Sequence, residues 1–353
     1  MKRKNILITG SSGLVGSAAV GYYCQKGNAV EGIDNNMRKV FFGGDGDTTR
    51  VRNALVASYR NYHHHSLDIR NEKKLADVFR ATRFDLIIHA AGQPSHDWAA
   101  SAPITDFDIN ARATLLLLEL TRKYSPSAVF IFTSTNKVYG DRPNYLPFVE
   151  LPSRYELPKD HAFYHGIDET MSVDMTTHSV FGVSKASADF MVQEYGRYFG
   201  LATGIFRCGC LTGPAHRGAR LHGFLAYLVK CAKEKRLYTV YGYKGKQVRD
   251  NLHVQDLVAA FEAFYRKPRV GQVYNMGGGR YSNVSLLEAV SRVEEIGSLT
   301  MKTTIADTAR TGDHQWYISD TTKFRRHYPE WRQRYGIADI MQELWDMQDV
   351  PIV

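Results

Sequence analysis

The sequence predicts an α/β protein built on a doubly wound parallel sheet with a smaller C-terminal lobe. Three observations carry that reading. Short apolar runs alternate with helix-like stretches along most of the chain. The first run, Lys4 to Thr9, leads straight into Gly10-Ser11-Ser12-Gly13-Leu14-Val15-Gly16 and then into small, helix-compatible residues. The second run, Ala29 to Ile33, ends on Asp34, on the order of 20 residues past the glycine turn. Together these describe a Rossmann-type strand, turn and helix, in which backbone N–H groups and a helix N-terminus converge where a pyrophosphate can bind.

Gly10, Gly13, Leu14, Val15 and Gly16 are therefore the expected phosphate cradle. Asp34, with Asn35 beside it, is the expected partner of the adenosine ribose hydroxyls. A carboxylate there repels a 2′-phosphate, so NAD is favoured over NADP, and Arg38 lies close enough to soften the preference.

With 353 residues the chain exceeds one small core. The expected division is residues 1–200 for the dinucleotide and 201–353 mainly for a substrate lobe, with segments returning to the first core. Hydrophobic residues make up 44 % and charged residues 23 %, the profile of a soluble globular protein. No apolar run reaches the roughly 18 residues of a membrane span. Met1-Lys2-Arg3-Lys4 precedes the first strand directly, which leaves no room for a signal peptide. The four cysteines form no metal or redox spacing, and Cys208-Gly209-Cys210 has one intervening residue instead of two. Reduced thiols in a cytoplasmic protein are expected. The net charge of +9 is spread along the chain without a dense basic stripe. It points to an anionic small substrate and away from nucleic acid or membrane.

The remaining elements follow in order. Residues 35–61 are polar and Gly-rich and read as a loop with a short helix. Tyr62 to Ile69 reads as a strand. Its run His63-His64-His65 is expected to hold no metal, because strand neighbours point to opposite faces and at most two histidines share a side. Asp68 at its end is placed to bond the adenine amino group, with Ile69 packing on the ring. Asp85 to Gly92 reads as the fourth strand, and small Ala90, Ala91 and Gly92 let a cofactor approach. Gln93, His96 and Asp97 then follow at the carboxyl end of a strand, where ligands of open α/β sheets bind. Asp106 to Tyr124 reads as a helix, Ala128 to Phe132 as the fifth strand, and Leu201 to Arg207 as the sixth.

Several motifs occur in one order: Gly10-x-x-Gly13-x-x-Gly16, Asp34, Asp68-Ile69, His89-Ala90-Ala91-Gly92, Thr133-Ser134-Thr135 with Val138-Tyr139-Gly140, and Ser184-Lys185. The set resembles the extended short-chain dehydrogenase/reductase superfamily of NAD-dependent nucleotide-sugar epimerases and dehydratases, over essentially the whole chain. Ser134 to Asp141 and Gly245 to Asp250 look most like its CDP-paratose (CDP-tyvelose) 2-epimerase group.

The resemblance implies tightly held NAD and epimerisation by transient oxidation to a keto-sugar and re-reduction. It places a catalytic hydroxyl at Thr135 and a Tyr-x-x-x-Lys pair downstream, with Lys185 on the nicotinamide ribose. Here the sequence departs from the pattern, because Phe181 stands at the tyrosine position, and a benzene ring neither donates nor accepts a proton. Three readings stay open: a substrate-trapping variant, an enzyme with another base, or a relative that binds without turnover. His96, Asp97, Tyr164, His165 and Glu169 are at hand as other acids and bases, although His96 and Asp97 also suit sugar hydroxyls. The insert 140–179, which carries Tyr164, His165, Asp168 and Glu169, reads either as a surface loop or as a lid.

The resemblance further implies that Tyr238 to Tyr243 run beside the nucleotide base, that Arg249 and Arg310 grip the diphosphate, and that Asp250 and His253 pin their loop. Gln272 to Gly279 returns the chain to the core. Thr135, Asn136 and Lys137 face the substrate. Dehydratase relatives carry an Asp-Glu pair where Asn136 and Lys137 stand, and an amide with an ammonium cannot replace it. The helix from Lys185 to Phe199 and its neighbour 105–124 offer either a homodimer face or internal packing. UDP-sugar 4-epimerisation is the near alternative.

Overall fold

The computed structural model describes residues 3–216, 223–308 and 312–347. Seven parallel strands form the central sheet: β1 (Asn5–Thr9), β2 (Ala29–Ile33), β3 (Tyr62–His65), β4 (Leu86–His89), β5 (Val129–Thr135), β6 (Ala202–Cys208) and β7 (Gln272–Met276). Their order is β7-β6-β5-β4-β1-β2-β3, with parallel pairing throughout. The strands are apolar on both faces because helices cover both. One face packs α1 (Leu14–Gln25) and the helix Val254–Arg266, and the other packs α2 (Ala113–Tyr124) and α3 (Ser179–Arg197). Phe130 and Phe132 are fully buried, and each such side chain contributes about 1.5–3 kcal/mol. The strand order reverses between β1 and β4, which opens a crevice at their carboxyl ends.

Several boundaries differ from the sequence expectation. Residues 35–61 hold two helices, Arg38–Phe42 and Thr49–Ser58, joined by a 3-10 turn. Val51 and Leu55, one helical turn apart, bury against the α1 core, and this outweighs the polar composition. β3 stops at His65 because Asp68 caps a turn, accepting from the Arg70 backbone N–H at 2.9 Å. The helical stretch before α2 begins at Pro103 and contains a π-turn at Asp108–Arg112. α3 starts at Ser179, ahead of Lys185.

His63 and His65 share one face of β3, where both meet Glu31 Oε2, at 2.8 and 2.7 Å, while His64 lies 3.1 Å from the Tyr62 hydroxyl. The insert 140–178 is a strut and not a lid. Tyr155 N–H donates to Lys246 O, Ile167 N–H to Ile318 O, and Glu169 accepts from Asn275 N–H.

The lobe has its own core under the helices Phe224–Lys233, Leu286–Gly297 and Ile337–Asp346. Strand Tyr238–Tyr241 pairs with Thr303–Ala306, and Val248–His253 pairs with three short strands. β7 rejoins the main sheet beside β6. Asp250 accepts from the N–H groups of Ser319 and Gly279, and His253 lies 2.7 Å from Glu343, so both pin loops. Trp331 packs in the main core and Trp345 against Gly297. Among the described residues the cysteines are free, and no helix is long and apolar enough to cross a membrane.

Candidate active site

The carboxyl ends of the strands and the lobe enclose one cleft of about 520 Å³. Its first wall is the glycine turn. Gly10 has φ +68°, and a Cβ there would sit 2.8 Å from the Ala91 nitrogen; a Cβ on Gly16 would sit 2.0 Å from the Gly10 oxygen. Only glycine lets β1, β4 and α1 approach this closely, and the backbone that results is open to a ligand. Gly13 caps α1 with extended backbone, so the N-terminus of a twelve-residue helix faces the cleft.

Asp34 follows at the end of β2. Its carboxylate accepts from Ser12 N–H at 3.0 Å and Asn36 N–H at 2.7 Å, with lone pairs to spare for ribose hydroxyls. Burial raises its pKa, and those two N–H groups pull the other way. Asn35, Asp68 and Ile69 complete this end, with Asn35 bonding Asp68 at 3.2 Å. Arg38, Met37 and Phe41 also line it. The last two lie in the stretch read as a loop with a short helix, and their spacing of four was the available signal.

Ala90, Ala91 and Gly92 form the floor after β4. Gln93 follows, but its amide is spent internally on Asp106 Oδ1 at 2.7 Å and Ser95 O at 2.8 Å. It shapes the turn more than it offers a free donor. His96 opens a short helix and lines the cleft, whereas Asp97, about 100° further round, is exposed and lies off the cleft wall. Of the two residues expected to meet substrate, the geometry brings His96 and not Asp97 to the cleft wall.

Thr135 ends β5 and is held from below. Ser134 donates to Asp189 Oδ2 at 2.6 Å, Arg207 donates twice to the same carboxylate at 3.0 and 2.9 Å, and Arg207 also reaches the Tyr139 hydroxyl at 3.1 Å. Breaking such a buried pair costs about 3–5 kcal/mol, so the Thr135 backbone is well fixed. Lys185 and Phe181, one turn apart on α3, line the same cleft as Thr135. Lys185 Nζ donates to Thr133 O at 2.9 Å, and burial lowers its pKa to about 8. Phe181 is buried and presents only carbon.

The far wall is cationic. Arg249 donates to Asp313 Oδ1 at 2.7 Å, and Lys137 donates to Gly312 O at 2.8 Å with its Nζ 3.8 Å from the same carboxylate. Burial pushes the Asp313 carboxyl up, but Arg249 and Lys137 outweigh it and hold the group well below the carboxylate range. Two cations around one carboxylate leave a net positive charge beside Asn136. Asp313 orients both cations, a role that no spacing in the sequence signals. Arg310 lies outside the described residues. Tyr238 and Tyr241 line the same end, as do Cys208 and Cys210, thiols that burial pushes up to about 12 and 11. Burial thus favours the thiol form of both, unlike the depressed pKa of a nucleophilic cysteine.

The cradle passes a structural test for a dinucleotide: backbone that a Cβ would block, a helix N-terminus, and an acid on the neighbouring strand. Comparison with known proteins agrees. The NAD dependent epimerase/dehydratase family matches residues 6–277. The CDP-paratose 2-epimerase of Salmonella typhi is 30 % identical over 348 residues, 97 % of this chain and 98 % of that one. The UDP-glucose 4-epimerase GEPI48 of Cyamopsis tetragonoloba is 27 % identical, covering 98 % of this chain and 95 % of that one. The crystal structure of the Thermus thermophilus UDP-glucose 4-epimerase with NAD superposes with a TM-score of 0.78 at 22 % identity, over 97 % of this chain and 98 % of that one, and so shares its fold. The chain is an enzyme of the NAD dependent epimerase/dehydratase family, and NAD is its cofactor.

Proposed function

We propose that the enzyme inverts one carbon of a nucleoside-diphosphate sugar by transient oxidation to a ketone and re-reduction, and that this carbon is C2 of a CDP-linked sugar. One observation carries the reading. A single cleft joins a dinucleotide cradle to an Arg249–Asp313–Lys137 cation cluster, with Thr135 and Lys185 between them. The full-length similarity to a CDP-paratose 2-epimerase supports the choice of sugar.

When bound, NAD supplies reversible oxidation of a sugar carbinol carbon. The chain's own residues do the rest. Gly10, Gly13, Leu14, Val15 and Gly16 hold the pyrophosphate, Asp34 and Asn35 the ribose, and Asp68 and Ile69 the adenine. Ala90, Ala91 and Gly92 give room for the nicotinamide half, and Lys185 holds its ribose. Thr135 bonds the reacting oxygen, and Asn136, Lys137 and Arg249 bind the diphosphate-sugar. Residues 1–200 thus form the NAD-binding domain, with Thr135, Asn136 and Lys137 at its sugar side, and 201–353 mainly the sugar-nucleotide lobe, with segments returning to the first core. Asn136 and Lys137 supply no carboxyl pair, which argues against water elimination.

The exposed apolar side chains of Ile104, Phe107, Val180, Val183, Phe190 and Met191 support a homodimer through α3 and the helices before it. The free cysteines suit the cytoplasm.

The test is NMR of purified enzyme with CDP-paratose and, separately, UDP-glucose. A C2-inverted CDP-sugar is expected. Conversion of UDP-glucose alone would move the assignment to 4-epimerisation, and binding of both without conversion would make the protein a non-catalytic relative.

A further inference from the structure

We propose that His96 is the proton-transferring group of this site, doing the work of the hydroxyl that Phe181 lacks; the proposal rests on the reading that a sugar carbinol is oxidised and re-reduced there. The His96 ring lies against the Phe181 ring, with centroids 4.8 Å apart and planes tilted by 57°. The imidazole therefore lines the cleft beside the position that resemblance reserves for a phenol.

Its orientation is built in. Nδ1 is 3.2 Å from Ser179 Oγ, and that oxygen also accepts from Gly182 N–H at 3.2 Å. A Cβ on Gly312, where φ is +75°, would come within 3.1 Å of Nδ1, so this edge of the ring is closely walled. Nδ1 is the nitrogen committed to Ser179, and proton exchange is assigned to Nε2. Ser179, at the start of α3, thus ties His96 to the helix that carries Phe181 and Lys185.

Competing groups fail on position or charge. Asp97, Tyr164, His165, Asp168 and Glu169 do not line the cleft. Tyr164 lies under the Arg280 guanidinium at 4.2 Å, and Glu169 accepts from Asn275 N–H. Lys185 is held away by its own bond, with Nζ donating to Thr133 O at 2.9 Å on the side of the nicotinamide ribose site. Cys208 and Cys210 are protonated thiols. An imidazole carries both a lone pair and an N–H, so it can accept a proton at one nitrogen and return it.

The balance is simple. As the carbinol becomes a ketone, the hydroxyl proton passes to Nε2, giving an imidazolium whose Nδ1–H donates to Ser179. The carbon-bound hydrogen and its electron pair go to the oxidised nicotinamide cofactor. Re-reduction returns both, and nothing is consumed.

The test uses enzyme loaded with NAD and labelled with 15N-histidine. The His96 Nε2 resonance, identified by its absence in His96→Asn, is followed with CDP-paratose and with CDP. It should shift with the sugar nucleotide and not with CDP. Turnover of His96→Asn should fall on the order of 100-fold or more, with KM little changed. Phe181→Tyr in the same background should recover at least about tenfold, because it restores a phenol beside Lys185. His96→Gln, with melting curves for both variants, separates loss of the proton donor from loss of the fold.

A resonance that ignores CDP-paratose, or a folded His96→Asn with turnover within about threefold of wild type, would overturn the assignment. If UDP-glucose is the sugar converted, UDP-glucose and UDP replace the CDP pair. A sugar-dependent shift without conversion of either sugar would support the His96 contact while the epimerase reading fails.

Discussion

The two ends of the cleft are built by opposite means. The end proposed for adenosine is local: a strand, a turn, a helix and the next strand place Gly10 to Asp34 within one supersecondary unit, and its polar contacts are mostly backbone N–H groups meeting a carboxylate. The end proposed for the sugar is assembled from His96, Thr135, Phe181, Arg249 and Asp313, which come from five separate segments. It relies on side-chain charges that orient one another. The first kind of site tolerates little change in shape, and the second can exchange one functional group for another. The phenylalanine at position 181 sits at the second end.

This contrast also decided what could be read from sequence. The cradle and Asp34 followed from spacing alone. At the sugar end only resemblance reached Arg249, and nothing in the sequence paired it with Asp313, because that contact spans the interface between two lobe segments. Met37 and Phe41 were missed because short-range polarity suggested a loop with only one short helix, while the structure has two, the second buried through Val51 and Leu55. The insert could not be decided between lid and surface loop until its bonds to residues 246, 275 and 318 were visible. Asp97 lies off the cleft wall because a helical turn follows Ser95.

The contrast can be broken from either side. Arg249→Ala should have the largest effect, weakening the sugar nucleotide about 10- to 100-fold by loss of a charge-assisted contact of about 1.5–3 kcal/mol. Calorimetry with CDP-paratose checks this, and unchanged affinity would remove Arg249 from the diphosphate site. At the other end, Asp34→Ala should weaken NAD about tenfold and narrow its advantage over NADP, since the carboxylate both binds ribose hydroxyls and repels phosphate. Equilibrium binding of both cofactors reads this directly, and unaltered discrimination would contradict the ribose assignment.

The smallest effect lies between the two ends, at Lys185. Its folded pKa of about 8 lies below the unfolded value near 10.4. The cation is present below pH 8 and lost as pH rises through it, so NAD retention on gel filtration should drop severalfold between pH 7 and 9. Lys185→Arg, which keeps its charge, should flatten that drop. Stability moves the other way. The cost of burying the ammonium is present below pH 8 and is relieved between about 8 and 10.4, so this group does not explain any lowering of the melting temperature in that window.

The central claim is that the sugar is oxidised and re-reduced within one closed cycle. CDP-paratose deuterated at C2, incubated with the enzyme in ordinary water and followed by NMR and mass spectrometry, tests it most directly. The account predicts an inverted product that keeps its deuterium on C2 through many turnovers, with no net change in cofactor. Inversion with deuterium washed out into solvent would contradict it, because that result requires removal of the carbon-bound hydrogen as a proton.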